Sequence, residues 1–185
     1  MRQKRQNKMS NILKNIIRFV LFILVQAFVL DKVHPLHQFI KPYFYFLFIL
    51  WLPFSISRSF LLIVAFVFGL TMDYFSGTPG LHAAPCVLIA FLRPYLISIL
   101  LPQEATEISY AEPSFKSMGW APYMVYVIIL TFAHHAFLVF IEWMSFGSFL
   151  FFIGKVAGST AISLLLIFIT EMLFNRKSKY RTNAA

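Results

Sequence analysis

Charge is scarce in this chain, acid most of all. Of 185 residues only 12% are charged and seven are Asp or Glu, against sixteen Lys and Arg. A soluble domain carries about 25% charged residues, so too few remain to solvate a globule of this length. Cysteine is nearly absent. Cys86 stands alone, which excludes an intramolecular disulfide and a cysteine metal cluster. It reads as a small apolar core residue. Catalytic signatures are missing too. There is no H-E-x-x-H helix, no G-x-S-x-G elbow, no phosphate-binding loop and no dinucleotide fingerprint. Only Asp31 and Asp73 could supply an aspartate pair, and no serine has a histidine and an acid at matching depth. Neither an enzyme nor a cofactor or metal site is therefore expected.

Apolar sequence fills the space that charge leaves. Hydrophobic residues make up 59% of the chain, Phe alone contributes 23, and the mean hydropathy is +0.76. A bilayer crossing needs about 20 mostly apolar residues at about 1.5 Å rise each. Runs of this kind fall at Ile12–Leu30, Tyr43–Ile56, Phe60–Phe75, Leu81–Leu101, Tyr123–Trp143 and 148–174, the last within an apolar stretch that begins at Phe146. The expected fold is an all-α membrane protein with a six-helix transmembrane bundle in a single domain. Five helices, with the short Tyr43–Ile56 run re-entrant, is the alternative. Tyr43, Phe44, Tyr45 and Phe46 suit an interfacial belt.

Basic residues gather at the two ends. Arg2, Lys4, Arg5, Lys8, Lys14 and Arg18 flank the first run, and Arg176, Lys177, Lys179 and Arg181 follow the last. Positive ends face the cytoplasm, so the tails 1–11 and 175–185 are expected inside, with an even number of crossings. The loop 102–117 is then cytoplasmic, and Lys32 and Lys41 are external. The net charge of +9 needs topology and anionic lipid as its explanation, not nucleic acid. The first apolar core runs into Phe28-Val29-Leu30-Asp31 without a small-residue cleavage site, which reads as a retained anchor.

A few residues break the apolar pattern. Gly69-Leu-Thr-Met-Asp73-Tyr-Phe-Ser76-Gly77-Thr-Pro79-Gly80-Leu-His82 joins the third and fourth runs. Its Ser-Gly-Thr-Pro-Gly core is turn chemistry. Asp73 lies where an unpaired carboxylate is costly, and it is expected to accept bonds from turn N–H groups and from hydroxyls such as Ser76 or Thr78. That role is structural; a partner or ligand site on a rigid turn is the functional alternative. Arg93, inside the fourth run beside Pro94, calls for an acidic partner among Asp73, Glu142 and Glu171, or else snorkels to the headgroups. His135 and Glu142 share a helix face, as a structural hydrogen bond or a proton relay. His134 and His135 point about 100° apart and cannot form one site alone. Lys155 has Glu142 as its nearest acid. Gly154-Lys-Val-Ala-Gly158 is a G-x-x-x-G pattern, for packing within the chain or for dimerisation. His34 and His37, in the first loop, are too few for a metal site.

From Phe66 to Ala83 the sequence resembles the bacterial rod shape-determining MreD family. The shared pattern is Gly69, then Asp73, then a turn with Gly77, Pro79 and Gly80, although many members carry a residue between the Pro and the last Gly. The length, basic tails and span pattern are similar along the whole chain. The resemblance implies a non-enzymatic scaffold in the bacterial cytoplasmic membrane. It implies association with an MreC-like single-pass protein, and with RodA-type glycosyltransferase, penicillin-binding transpeptidase and, indirectly, MreB partners. The family also resembles the six-helix substrate-binding membrane subunits of energy-coupling-factor transporters. That gives a rival function, a small-solute-binding subunit.

Overall fold

A computed structural model describes residues 2–32, 41–101, 112–144 and 148–173, with side-chain surroundings from residue 12 onward. Among them there is no β-strand. Helix α1 covers Arg2–Leu24 and continues through a π-helical stretch, Val25–Val29, into a 3-10 turn at Leu30–Lys32. Then come a single turn, α2 (Leu47–Leu50), and the long helices α3 (Arg58–Ser76) and α4 (Ala83–Leu100). The short α5 (Phe115–Met118) precedes α6 (Trp120–Trp143) and α7 (Phe149–Leu173). Among the described residues five helices are long and apolar enough to cross a membrane, at Ile12–Lys32, Arg58–Ser76, Ala83–Leu100, Trp120–Trp143 and Phe149–Leu173.

Their outer surfaces are apolar. Leu13, Ile16, Val20 and Phe28 are exposed on α1 and its continuation, as are Phe60, Ile63 and Phe66 on α3 and Leu150, Leu165 and Phe168 on α7. Apolar area on this scale is unsustainable in water and is what lipid contact requires. The chain has the architecture of a multi-pass membrane protein.

The expected second helix is the main departure. Within 43–56 only Leu47–Leu50 is α-helical. Length is the physical reason. Fourteen residues of α-helix rise about 21 Å, short of a hydrocarbon core of about 30 Å. Pro42 precedes the run and Pro53 interrupts it near its end, and each pushes its preceding residue toward extended backbone. A partly extended chain reaches farther per residue. Nor does the segment dip in and return on one side. Ser76 Oγ at the end of α3 donates to Asp31 Oδ2 at the end of α1 (3.4 Å), so α1 and α3 end together. Between them, Phe44 lies beside Gln26 and Trp51 lies beside Arg18, eight residues back along α1. The segment thus travels back down α1 from the Asp31 end to the Arg58 end.

It does so through the middle of the bundle. Tyr45, Phe46, Leu47, Ile49 and Leu50 are fully buried, and Tyr43, Phe48, Trp51 and Leu52 nearly so. Phe19 and Phe68 pack edge-on or tilted against Phe48, and Phe22 against Trp51. Non-helical backbone at this depth has no water to bond and needs partners from the protein. Gln26, in the π-helical stretch, supplies several. Its Oε1 accepts from Phe44 N (2.8 Å) and Tyr45 N (3.3 Å), and its Nε2 donates to Pro42 O (3.1 Å) and Asp31 Oδ1 (2.8 Å). Ser163 Oγ on α7 accepts from Tyr43 N at 3.3 Å. At the other end Tyr126 Oη donates to Leu50 O (2.9 Å), and Arg93 Nη2 donates to Leu52 O and, at 3.5 Å, to Pro53 O.

The loop before α5 ties back to α1. Glu112 pairs with Lys14 at 2.9 Å and with Arg18 at 2.8 Å. The Arg18 contact is an ion pair without hydrogen-bond alignment, since its Nη1 makes no hydrogen bond. Burial pushes the Glu112 acid up, but Arg18 and Lys14 outweigh it and hold the carboxyl below its ordinary value. A depressed folded-state pKa contributes stability that is complete above the unfolded value and is lost as pH falls through the folded one.

Two outcomes follow from these contacts. In detergent, the stability advantage of the wild type over Glu112→Gln is constant near neutral pH and shrinks only in acid, below the ordinary carboxylate range; an advantage unchanged there removes the ion-pair account. Tyr126→Phe takes a donor from Leu50 O and an acceptor from Arg93 Nε, and lowers thermal stability by about 1–3 kcal/mol.

Candidate functional site

The Gly69–His82 stretch builds a rigid corner at the Asp31 end. Helix α3 stops at Gly77, whose φ of +66° is left-handed and suits glycine. Thr78 N donates back to Asp73 O at 3.1 Å. Gly80 is also left-handed, at φ +84°. Helix α4 then starts with N–H groups that have no partner in their own helix. Asp73 reaches across from α3 to supply one. Its Oδ1 accepts from His82 N (2.7 Å), and its Oδ2 accepts from Gly80 N and Ala83 N (3.0 Å each). A carboxylate at a helix N-terminus is also favoured by the helix dipole.

The expectation of N–H donors thus holds for Asp73, but the expected hydroxyl donors do not. Ser76 Oγ turns to Asp31 instead, and Thr78 Oγ1 is buried without a partner among the described residues. Gly69 explains how the carboxylate gets so close. It lies one helical turn before Asp73, on the same face. A Cβ added there would come within 2.4 Å of Ala83 Cα and 2.9 Å of His82 O. Only glycine admits the start of α4 this close to α3. Gly69 fixes the approach and Asp73 caps the helix that approaches. Outside this clamp the turn faces away from the protein: Tyr74 is 84% exposed, and Phe75, Gly77, Pro79 and Gly80 are exposed.

From the clamp a polar chain enters the core. His82 Nδ1 lies 2.9 Å from Tyr45 Oη, which lies 2.9 Å from His134 Nε2. A phenol has one proton, so Tyr45 donates to one ring and accepts from the other. His134 Nδ1 is buried and has no hydrogen-bond partner among the described residues. A bare lone pair is tolerated there better than an orphan N–H. His134 Nε2 therefore donates to Tyr45, and Tyr45 donates to His82. His135 takes a separate route. Its Nδ1 donates to Thr131 O (2.8 Å), so its Nε2 accepts from Ser163 Oγ (3.0 Å), which in turn accepts from Tyr43 N. The two neighbouring rings are buried, sit edge to face at 5.2 Å, and serve different partners. His135 does not bond Glu142.

Arg93 differs from expectation in two ways. It is only 2% exposed, so it does not snorkel. No carboxylate among the described residues lies within ion-pair distance of it. It bonds Tyr126 Oη at 3.0 Å through Nε, and the Leu52 and Pro53 carbonyls through Nη2. Of its three expected acids, Asp73 caps α4, Glu142 pairs with Lys155, and Glu171 accepts from Trp51 Nε1 at 2.8 Å and from Tyr123 Oη. The Lys155–Glu142 pair is the one that chain proximity suggested. Cys86 is fully buried, as a core residue would be. Gly154 is exposed, and a Cβ there meets nothing within 4 Å, so it makes no close helix packing inside the chain. Gly158 is half-buried. His34 and His37 lie outside the described residues, among which no three metal-ligating side chains converge.

Gln26, Tyr126 and Ser163 escaped the sequence reading, and Tyr43, Tyr45 and Phe46, expected in an interfacial belt, are buried instead because the segment runs inside the bundle. Gln26 carried a usable signal, an amide in the middle of an apolar run. Tyr126 carried none, because aromatic residues are ordinary in such helices.

The clamp makes a sharp prediction. Asp73→Asn replaces one acceptor oxygen by an NH2 facing N–H donors, and Gly69→Ala inserts the forbidden Cβ. Each lowers the thermal midpoint in detergent, with a cost of about 1–3 kcal/mol for Asp73→Asn. Gly77→Ala, strained at positive φ but sterically unobstructed, costs less than Gly69→Ala. Equal tolerance of Ala at positions 69 and 77 contradicts the close-approach role.

Comparison with protein-family models, curated proteins and solved structures yields no match to this chain.

Proposed function

We propose that the chain is a non-enzymatic membrane scaffold of the bacterial elongation machinery, of the MreD type, acting on cell shape and lateral peptidoglycan synthesis by binding other membrane proteins. The motif resemblance suggests the family. The observation that carries the reading is how the polar groups are used. The bundle interior, where an enzyme or a solute-binding subunit needs room, is filled by residues 43–52. The core histidines, tyrosines and Gln26 bond one another or backbone groups. What the clamp leaves available is the rigid exposed corner of Tyr74, Phe75, Gly77 and Pro79. An exposed aromatic on a fixed turn suits a protein contact. The solute-binding alternative, as in energy-coupling-factor transporter subunits, has less support from a filled interior.

In this reading the protein sits in the bacterial cytoplasmic membrane. Five long helices and the buried return of residues 43–56 make six passes, an even number. Both basic tails then face the cytoplasm, and the Asp73 corner faces outward toward a single-pass, MreC-like partner. Through that partner it meets the RodA-type glycosyltransferase, the penicillin-binding transpeptidase and, indirectly, MreB.

The test separates surface from fold. Tyr74→Ala with Phe75→Ala leaves Asp73 and Gly69 in place, so the protein inserts and melts as wild type does. Co-purification with the MreC-like partner is expected to fall at least tenfold, and cells relying on the variant are expected to round up. Normal pull-down and normal rods from a properly inserted variant would sink the corner as a partner site.

A further inference from the structure

A second feature lies at the opposite end of the bundle. Phe54, Ile56, Arg58, Arg93, Ser98 and Leu101 help to enclose a half-open cavity of about 180 Å³. Its lining is apolar apart from two arginines and a serine. That volume matches about six waters at about 30 Å³ each, room for the five heavy atoms of a phosphate group.

Several independent features give the cavity positive character. Arg93 is buried, 2% exposed, with no carboxylate beside it among the described residues. Its Nε and Nη2 are committed to Tyr126 and to the Leu52 and Pro53 carbonyls, while Nη1 has no hydrogen-bond partner among the described residues. A desolvated cation without a counter-charge is costly, and an anion in the cavity would relieve that cost. Arg58 stands at the rim, its guanidinium 5.2 Å from the centre of the Tyr95 ring. Arg58 is also the first residue of α3. The first helical bond there is Leu61 N to Ser57 O, and the Ser57 side chain makes no cap. The N–H groups at the start of α3 therefore add the positive end of a 19-residue helix. Asp73 answers this need at α4; no described side chain answers it at α3.

We propose that this cavity is a binding site for a phosphate group, held between Arg58, Arg93 and the N-terminus of α3. Guanidinium groups match phosphate oxygens in geometry as well as charge. The source is either the headgroup of an anionic phospholipid, whose chains would follow Ile56, Leu61, Ile97 and Leu101, or a soluble phosphate. The cavity lies at the Arg58 end, away from the Asp73 corner, and does not depend on the scaffold reading.

The full chain, purified in neutral detergent, allows a direct test. Binding is read by native mass spectrometry and thermal shift against phosphatidylglycerol, phosphatidylcholine and inorganic phosphate. Arg58→Gln removes one arm of the site without touching the Arg93 contacts. Ser98→Phe fills the cavity with no change of charge. Lys32→Gln, at the other end, removes an equal charge as a control. A lipid site predicts that the wild type and Lys32→Gln retain phosphatidylglycerol over phosphatidylcholine. Both Arg58→Gln and Ser98→Phe then lose about tenfold in affinity, the scale of one charge-assisted contact. A soluble-phosphate site predicts the same variant pattern with inorganic phosphate alone. Three results overturn the proposal: no preference for either probe, a preference that survives in Ser98→Phe, or an equal loss in Lys32→Gln. The last two would mean diffuse attraction to charge.

Discussion

A polypeptide that runs through the interior of an apolar helical bundle without being a helix must find a partner for every backbone group it buries. Most of the unusual residues in this protein answer that demand. Residues 43–56 cross the bundle with one turn of helix at their centre. Their free N–H groups are met by Gln26 and Ser163 and their free carbonyls by Tyr126 and Arg93. These four side chains come from α1, α7, α6 and α4. The segment thus binds together helices that lipid alone would not drive into contact, because burying apolar surface gains little where the solvent is apolar too. The π-helical stretch of α1 belongs to the same solution. It holds the residue, Gln26, that makes four bonds at the entrance to the crossing.

The Gly69–Asp73 clamp controls where two contacts to the crossing segment fall. It fixes the start of α4 against the end of α3, and His82 immediately precedes α4 while Arg93 lies within it. The two residues are eleven apart, about three helical turns, and engage the crossing segment at Tyr45 and at Leu52. A shift at the clamp would move both attachment points together. A motif of two residues at one end is thereby coupled to the packing of a segment that runs the depth of the bundle. Its glycine is dictated by steric contact and its aspartate by the electrostatics of a helix start.

The five long helices could be read from hydropathy because lipid imposes one simple rule over many residues. The 43–56 run was open to misreading because hydropathy registers polarity and not backbone shape. Its shortness and the prolines near its ends were the visible warnings. The Lys155–Glu142 pair was legible because both residues lie near one helix–helix connection. Arg93 was misassigned because a search for opposite charge overlooks carbonyl oxygens, and those become available only when the backbone near them leaves the helix. Asp73 was half legible. That it would accept turn N–H groups follows from the residue type; that these groups open a second helix requires the close approach at Gly69. Gln26 marks the limit of the method. A lone amide in an apolar run announces a buried partner, but nothing local says that the partner is backbone eighteen residues away.

The polar residues of this protein therefore divide by what remains to be satisfied. In the core, Gln26, Tyr45, His82, His135 and Ser163 meet donors with acceptors. The two ends differ. The Asp73 corner is internally satisfied but presents exposed aromatic surface. The Arg58 end holds a buried cation and a helix start with too few acceptors. A largely bonded core between two ends of different chemistry is the arrangement the proposed scaffold would use. The chemistry left at each end, apolar on one side and cationic on the other, would then favour different neighbours.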